Sequence, residues 1–171
     1  MILGIDVSTS ITGFAVIGEE QVAYYGSVDL RKEKDTFAKA IMVKKKLMDI
    51  LLEFSISHIY IEQPFTFFNS GGSSAKTMAK LQMFNGIVSW IACEMFEIKP
   101  QYVTAMEARK LCGIKVPRGQ KAKKVVLEHL LDSEQAFKIE YTNRGNPKPE
   151  SYDRADAIIV AKAGYKLQQN L

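Results

Sequence analysis

The chain has 171 residues, 47% of them hydrophobic, with 23 Lys+Arg against 19 Asp+Glu for a net charge of +4. That length suits one domain with a real core, and the small positive excess is by itself weak support for an anionic partner. Two histidines and two cysteines without zinc spacing argue against a histidine-rich or zinc-type metal site. The longest apolar stretch, GIVSWIACEMF, is too short and too interrupted to span a bilayer. The opening MILGIDVSTS lacks the basic region and apolar run of a signal peptide. The expectation is a soluble, cytoplasmic protein with Cys93 and Cys112 reduced.

In chain order, MILGIDV, TGFAVIG and QVAYYGSVDL are short, β-rich runs with tight connections, which predicts an antiparallel meander. KDTFAKAIMVKKKLMDILLEF turns helical, with Phe37, Ile41, Lys44/Lys45, Met48 and Leu51/Leu52 at 3–4 spacing. HIYIEQ is a short strand, and PFTFFNSGGSS breaks regularity with Pro and paired Gly. A long helix follows from about Ser74 to Phe96. Its main stripe is Leu81, Phe84, Val88, Ile91 and Met95, and a second is Met83, Ile87 and Trp90. A helix apolar over so much of its circumference is either central or shared with a second subunit.

KPQYVTA is another strand. TAMEARKLCG places Thr104 and Glu107 in capping-box spacing and closes on Gly113. RGQKAKKVVLEHLL is a basic helix, TNRGNPKPES a polar loop, and a final helix holds SYDRADAIIVAKAGY. The order βββαβαβααα predicts an α/β fold in which a mixed five-stranded sheet, three antiparallel strands followed by parallel ones, carries helices on both faces.

Four carboxylates stand out. Asp6 and Glu62 close the apolar runs MILGID and HIYIE, so each falls at the C-terminal end of a predicted buried strand, the edge where α/β sheets bind ligands. Asp153 and Asp156 lie three apart at the head of the last helix, on one face. Four such groups converging would repel and be driven to protonate unless a cation neutralised them. The all-oxygen donor set suits Mg²⁺ or Mn²⁺, and two such ions roughly 3.5–4 Å apart support in-line attack on a phosphodiester. From Arg109 to Lys124 there are seven basic residues and no acid, an electropositive stretch suited to a phosphate backbone or to a solvated helix face.

These stretches carry a resemblance. ILGIDVSTSITGFAVI, IYIEQPF and SYDRADAIIVA resemble, in order, the three acidic motifs of the RuvC family of Holliday-junction resolvases, within the ribonuclease H-like superfamily. The chain departs from that family at Val7-Ser8, where Pro-Gly is usual. The resemblance implies a single ribonuclease H-like nuclease domain over residues 1–171. It implies Asp6, Glu62, Asp153 and Asp156 as catalytic residues and ligands of two Mg²⁺ ions, with Mn²⁺ able to substitute. It implies a homodimer that resolves four-way DNA junctions by paired nicks, leaving 5′-phosphate and 3′-hydroxyl ends, with any recombination partners unspecified. Phe65 falls where the family has a junction-stacking aromatic, with Phe67 and Phe68 as further candidates. Lys121 resembles a lysine close to the scissile phosphate, while Arg118, Lys123 and Lys124 would hold flanking phosphates.

Three other readings stay open on the sequence. One is a nuclease on the same scaffold acting on branched DNA generally or on RNA–DNA hybrids. Another is an actin-like or sugar-kinase-like nucleotide binder, which GIDVSTSITG alone would fit. The third is a DNA-binding module without catalysis.

Overall fold

The computed structural model describes residues 1–64 and 75–169. Strands β1 (Ile2–Asp6), β2 (Ile11–Gly18) and β3 (Gln21–Asp29) precede helix α1 (Thr36–Glu53). Then come β4 (His58–Glu62), α2 (Ala75–Phe96) and β5 (Gln101–Val103), followed by α3 (Ala105–Leu111), α4 (Ala122–Ser133) and α5 (Glu150–Gln169). The sheet order is β3-β2-β1-β4-β5. The first three strands pair antiparallel, and β4 joins β1 and β5 in parallel. This is the mixed five-stranded sheet that the element order predicts.

β1 is central and buried along its whole length, so its side chains alternate between two cores. Leu3 and Ile5 pack with Val43 and Leu47 of α1 and with Phe84 and Val88 of α2. On the other face α5 lies across the sheet beside α3 and α4, burying Tyr60, Val103, Leu127 and Ile158. Here backbone approaches backbone. A Cβ on Gly4 would fall 2.5 Å from the Ala157 carbonyl oxygen.

Helix ends follow local chemistry. Asp35 caps α1 by accepting from the Ala38 N–H at 2.8 Å, and Thr104 caps α3 by accepting from the Glu107 N–H at 3.1 Å. Gly113, at φ 72°, ends α3 in the left-handed conformation that its sequence position suggests. The polar loop ahead of α5 carries local pairing. Tyr141 and Pro147 form an isolated bridge, and Lys148 pairs with Glu140.

The apolar spacing on α1 tracks the outward face. Phe37 and Leu52 are 69% and 80% exposed and Ile41 and Met48 are also exposed, whereas Ala40, Val43, Leu47 and Ile50 are buried. Two apolar stripes share this helix, and the one turned inward carries Ala40, Val43, Leu47 and Ile50. On α2 the main stripe does face inward through Phe84, Val88 and Ile91, while Met83 and Trp90 of the second stripe are exposed. Together the outward stripes of α1 and α2 line an apolar groove of about 600 Å³. Among the described residues no helix is long and apolar enough to cross a membrane.

Candidate active site

Strand alternation sets the first two carboxylates. Gly4 meets α5 and Ile5 packs on the opposite face, so Asp6 points to the α5 side. In parallel register Ile5 pairs with Ile61, and Tyr60 meets Gly164 of α5, so Glu62 points the same way one strand over. Two acids thus end adjacent parallel strands on one face.

The second pair is delivered by α5 through a row of backbone registers. Asp6 pairs with Gly13, and Gly13 with Ser27. α5 crosses this row at its first turns. The Asp153 carbonyl presses on Gly13 so closely that a Cβ there would lie 2.1 Å from its oxygen. The next residue, Arg154, donates from Nε to the Ser27 hydroxyl at 2.9 Å. Arg31 joins Asp29 to Glu150 at the helix start, both at 2.6 Å. The loop between β1 and β2 is held by Thr12, whose hydroxyl donates to the Ser8 carbonyl at 2.9 Å, and by Lys39, which donates to the Thr9 carbonyl.

The cluster is electrostatically strained. Asp6 and Asp153 are only 7% and 8% exposed. Burial, then repulsion from Glu62, Asp156 and Asp153, raises the Asp6 pKa well above the usual carboxylate range. Burial, with Asp156 and Asp153 adding to it, pushes Glu62 up to about 7. Burial likewise raises Asp153 and Asp156. Repulsion among the four carboxylates adds to burial in these shifts.

One cation stands among them. Lys123 Nζ donates to Asp153 Oδ1 at 2.9 Å and lies 3.3 Å from Asp156 Oδ2. Burial opposes the ammonium, but Asp6, Asp156 and Asp153 outweigh it and raise the Lys123 pKa. The sequence expectation for Lys123 was a flanking phosphate, whereas the structure seats it inside the acidic cluster. The start of α4 at Ala122 decides this, since it turns Lys123 toward α5, where the side chain reaches Asp153 and Asp156 although it stays exposed like Lys121 and Lys124. Lys124 pairs with Glu128 at 3.6 Å, and Arg118 is exposed ahead of the helix. Phe65, Phe67 and Phe68 lie outside the described residues.

Arg109 of α3 is a site residue that the sequence reading left unassigned. Its charge acts on Glu62 and Asp156, lowering both against burial. The available signal was the helix itself: β5 pairs Val103 with Glu62, so the next helix must open beside that acid.

The donor chemistry, four carboxylates without sulfur or imidazole, fits a hard divalent cation. As the side chains stand, no group of three or more Asp, Glu, His or Cys among the described residues could hold a metal ion. The Lys123 ammonium is the cation that Asp153 and Asp156 share.

Residues 1–143 match the family described as DUF3882, Lactococcus phage M3 protein. The chain belongs to that family. No curated protein matches the DUF3882 chain in sequence. By structure it is similar to Thermus thermophilus RuvC in complex with a Holliday junction substrate, at 14% identity and TM-score 0.69, over 99% of this chain and 94% of that one. A second Thermus thermophilus RuvC structure gives 16% identity and TM-score 0.65, over 99% and 95%. The yeast mitochondrial Holliday junction resolvase Ydc2 gives 13% identity and TM-score 0.62, over 98% and 78%. This DUF3882 protein therefore has a RuvC-like fold.

Proposed function

We propose that the chain is a single-domain, metal-dependent endodeoxyribonuclease that cuts four-way DNA junctions by paired nicks. The observation that carries this reading is the meeting of Asp6, Glu62, Asp153 and Asp156 on one face at the C-terminal ends of β1 and β4. Their mutual repulsion would be relieved by divalent cations held among them. The RuvC-like fold, with a neighbour solved on a Holliday junction substrate, supports the same substrate class.

Asp6, Glu62, Asp153 and Asp156 would together hold two Mg²⁺ or Mn²⁺ ions. Bound there, such ions activate water and stabilise the leaving oxygen of an in-line displacement. The chain's own groups do the remaining work. β1, β4 and the first turns of α5 hold the four oxygen donors in fixed relation, and Arg109 offsets charge at Glu62 and Asp156. With the acids neutralised by divalent cations, Lys123, which reaches Asp153 and Asp156, would be available to a substrate phosphate. The exposed Arg118, Lys121 and Lys124 hold the strand to either side. The products carry 5′-phosphate and 3′-hydroxyl ends.

The two cuts need two equivalent sites. The outward apolar face of α1 and α2, with Phe37, Ile41, Met83 and Trp90 exposed, suits a second copy of the chain.

The test is cleavage of synthetic four-way junction, flap and RNA–DNA hybrid by purified protein in Mg²⁺ or Mn²⁺. Symmetric paired nicks in the junction are expected. Asp6→Asn should retain junction binding and lose cleavage by roughly 10³-fold, the scale of losing one group that stabilises developing charge. An intact junction with folded wild-type protein overturns the proposal, and preferential cutting of flap or hybrid redirects it to a broader nuclease.

A further inference from the structure

Asn85 sits in the buried stripe of α2 among Phe84, Val88, Ile91 and Ala92. A side-chain amide in such a place destabilises the fold unless it is hydrogen-bonded. Asn85 is 4% exposed, and its Nδ2 donates to the main-chain carbonyl of Glu62 at 3.2 Å. One turn on, the buried Ser89 hydroxyl donates to the Asn85 carbonyl at 2.7 Å and lies 3.4 Å from Asn85 Oδ1. The amide thus sits with its nitrogen on the strand carbonyl and its oxygen near the Ser89 hydroxyl.

The bond falls where the sheet stops helping. β1 pairs with β4 through Ile61, while Glu62 keeps Val103 of β5 as its partner. The next amide, Gln63, donates to the Val103 carbonyl at 2.9 Å. On its other side the Glu62 peptide is held by Asn85. The Glu62 carboxylate projects to the α5 face and its carbonyl is gripped from the α2 face, so a helix on one side of the sheet fixes an acid that works on the other.

We propose that Asn85 is a positioning residue for Glu62. Its amide sets the height of the strand end, and thereby the reach of the Glu62 carboxylate toward Asp6. This rests on the reading of Glu62 as a metal ligand.

The experiment compares wild type with Asn85→Leu, which keeps volume and removes the donor, and with the milder Ser89→Ala. Ala92→Gly, which weakens the same helix without touching Glu62, is the control. The first readout is NMR-detected amide exchange without metal. Gln63 should exchange about tenfold faster in Asn85→Leu, with Ile59 to Ile61 unchanged. The second is thermal stabilisation by Mn²⁺, whose half-saturating concentration should rise about tenfold, as when a partner behind a metal ligand is removed. Junction cleavage should need the same extra Mn²⁺ and keep its rate at saturation within about twofold.

A folded Asn85→Leu protein with wild-type Gln63 exchange and wild-type Mn²⁺ half-saturation overturns the proposal. So does an equal Mn²⁺ shift in Ala92→Gly, which would make the effect one of general stability. If Asn85→Leu fails to fold, Ser89→Ala decides by the same two readouts. If wild type neither binds Mn²⁺ nor cuts junctions, the nuclease reading falls, and amide exchange still decides whether Asn85 holds Glu62.

Discussion

On one side of the sheet, Gly4 and Gly13 bring β1 and β2 against the backbone of α5; on the other, Leu3, Ile5 and Val16 meet Val43, Leu47, Phe84 and Val88 through full side chains. The first contact has no give, because peptide groups cannot change rotamer. The second is an ordinary core that relaxes when a methylene is added or lost. The carboxylates lie on the unyielding side. Oxygen donors that must meet a metal within a few tenths of an ångström are placed where backbone fixes distance. The apolar surface offered outward lies on the side that tolerates change.

The largest effect should come from inserting a single methyl into the close contact. In Gly13→Ala the new Cβ would meet the Asp153 carbonyl at 2.1 Å, and the obstacle is backbone. The expected loss is about 3 kcal/mol or more, the upper end for overpacking. Ile5→Val, across the sheet, should cost only about 0.5–1.5 kcal/mol. Urea midpoints at fixed pH measure both. Equal losses would erase the distinction between the faces.

A smaller effect should appear with pH, again only on the α5 side. Burial and the neighbouring aspartates hold Glu62 near 7 in the folded chain, above its ordinary value of 4.5. Asp6 is shifted in the same direction. The folded state therefore binds more protons than the unfolded state between those values, and stability falls as pH rises through this window. Lys123 does not cancel the trend, since its raised pKa contributes stability that persists until far higher pH. Metal-free protein should melt several degrees lower at pH 8 than at pH 5, each 1 kcal/mol being worth about 2–4 °C at this chain length. Mg²⁺ should return most of the loss at pH 8, and EDTA should remove it again. A melting temperature that rises over this range would contradict the clustering of the acids.

The sequence made the α5 side easier to read than the α1/α2 side, for a physical reason. Asp6 and Glu62 break apolar strands, and acids at such positions are conspicuous because burial makes them rare. Element order and sheet type followed from the alternation of β-rich and helical runs. What did not follow was the rotation of helices. On α1, hydropathy favours the large residues Phe37, Ile41 and Leu52, yet the sheet takes Ala40, Val43 and Leu47. Among the clustered lysines, charge alone cannot tell Lys121 from Lys123, because which one reaches Asp153 depends on the residue at which α4 starts. Asn85 was hidden because one polar residue in an apolar stripe reads as noise until its partner, a main-chain carbonyl, is seen.

The smallest effect on the single chain, and the most telling for the outward face, should come from Trp90→Glu. Trp90 is 65% exposed beside the half-exposed Met83, so within one copy a glutamate there disturbs no core. Stability of the isolated chain should change by no more than about 0.5 kcal/mol, the usual range for surface substitutions. If a second copy covers this face about a twofold axis, each substitution is felt twice, with two carboxylates brought into one apolar contact. Light scattering after size-exclusion chromatography should then report wild type as a dimer and Trp90→Glu as a monomer at the same concentration. Junction binding should weaken while the acids stay in place, and paired nicking should give way to single nicks. A dimer that survives Trp90→Glu unchanged would assign the apolar face to some other occupant and leave the α5 side as the only part of the comparison tied to function.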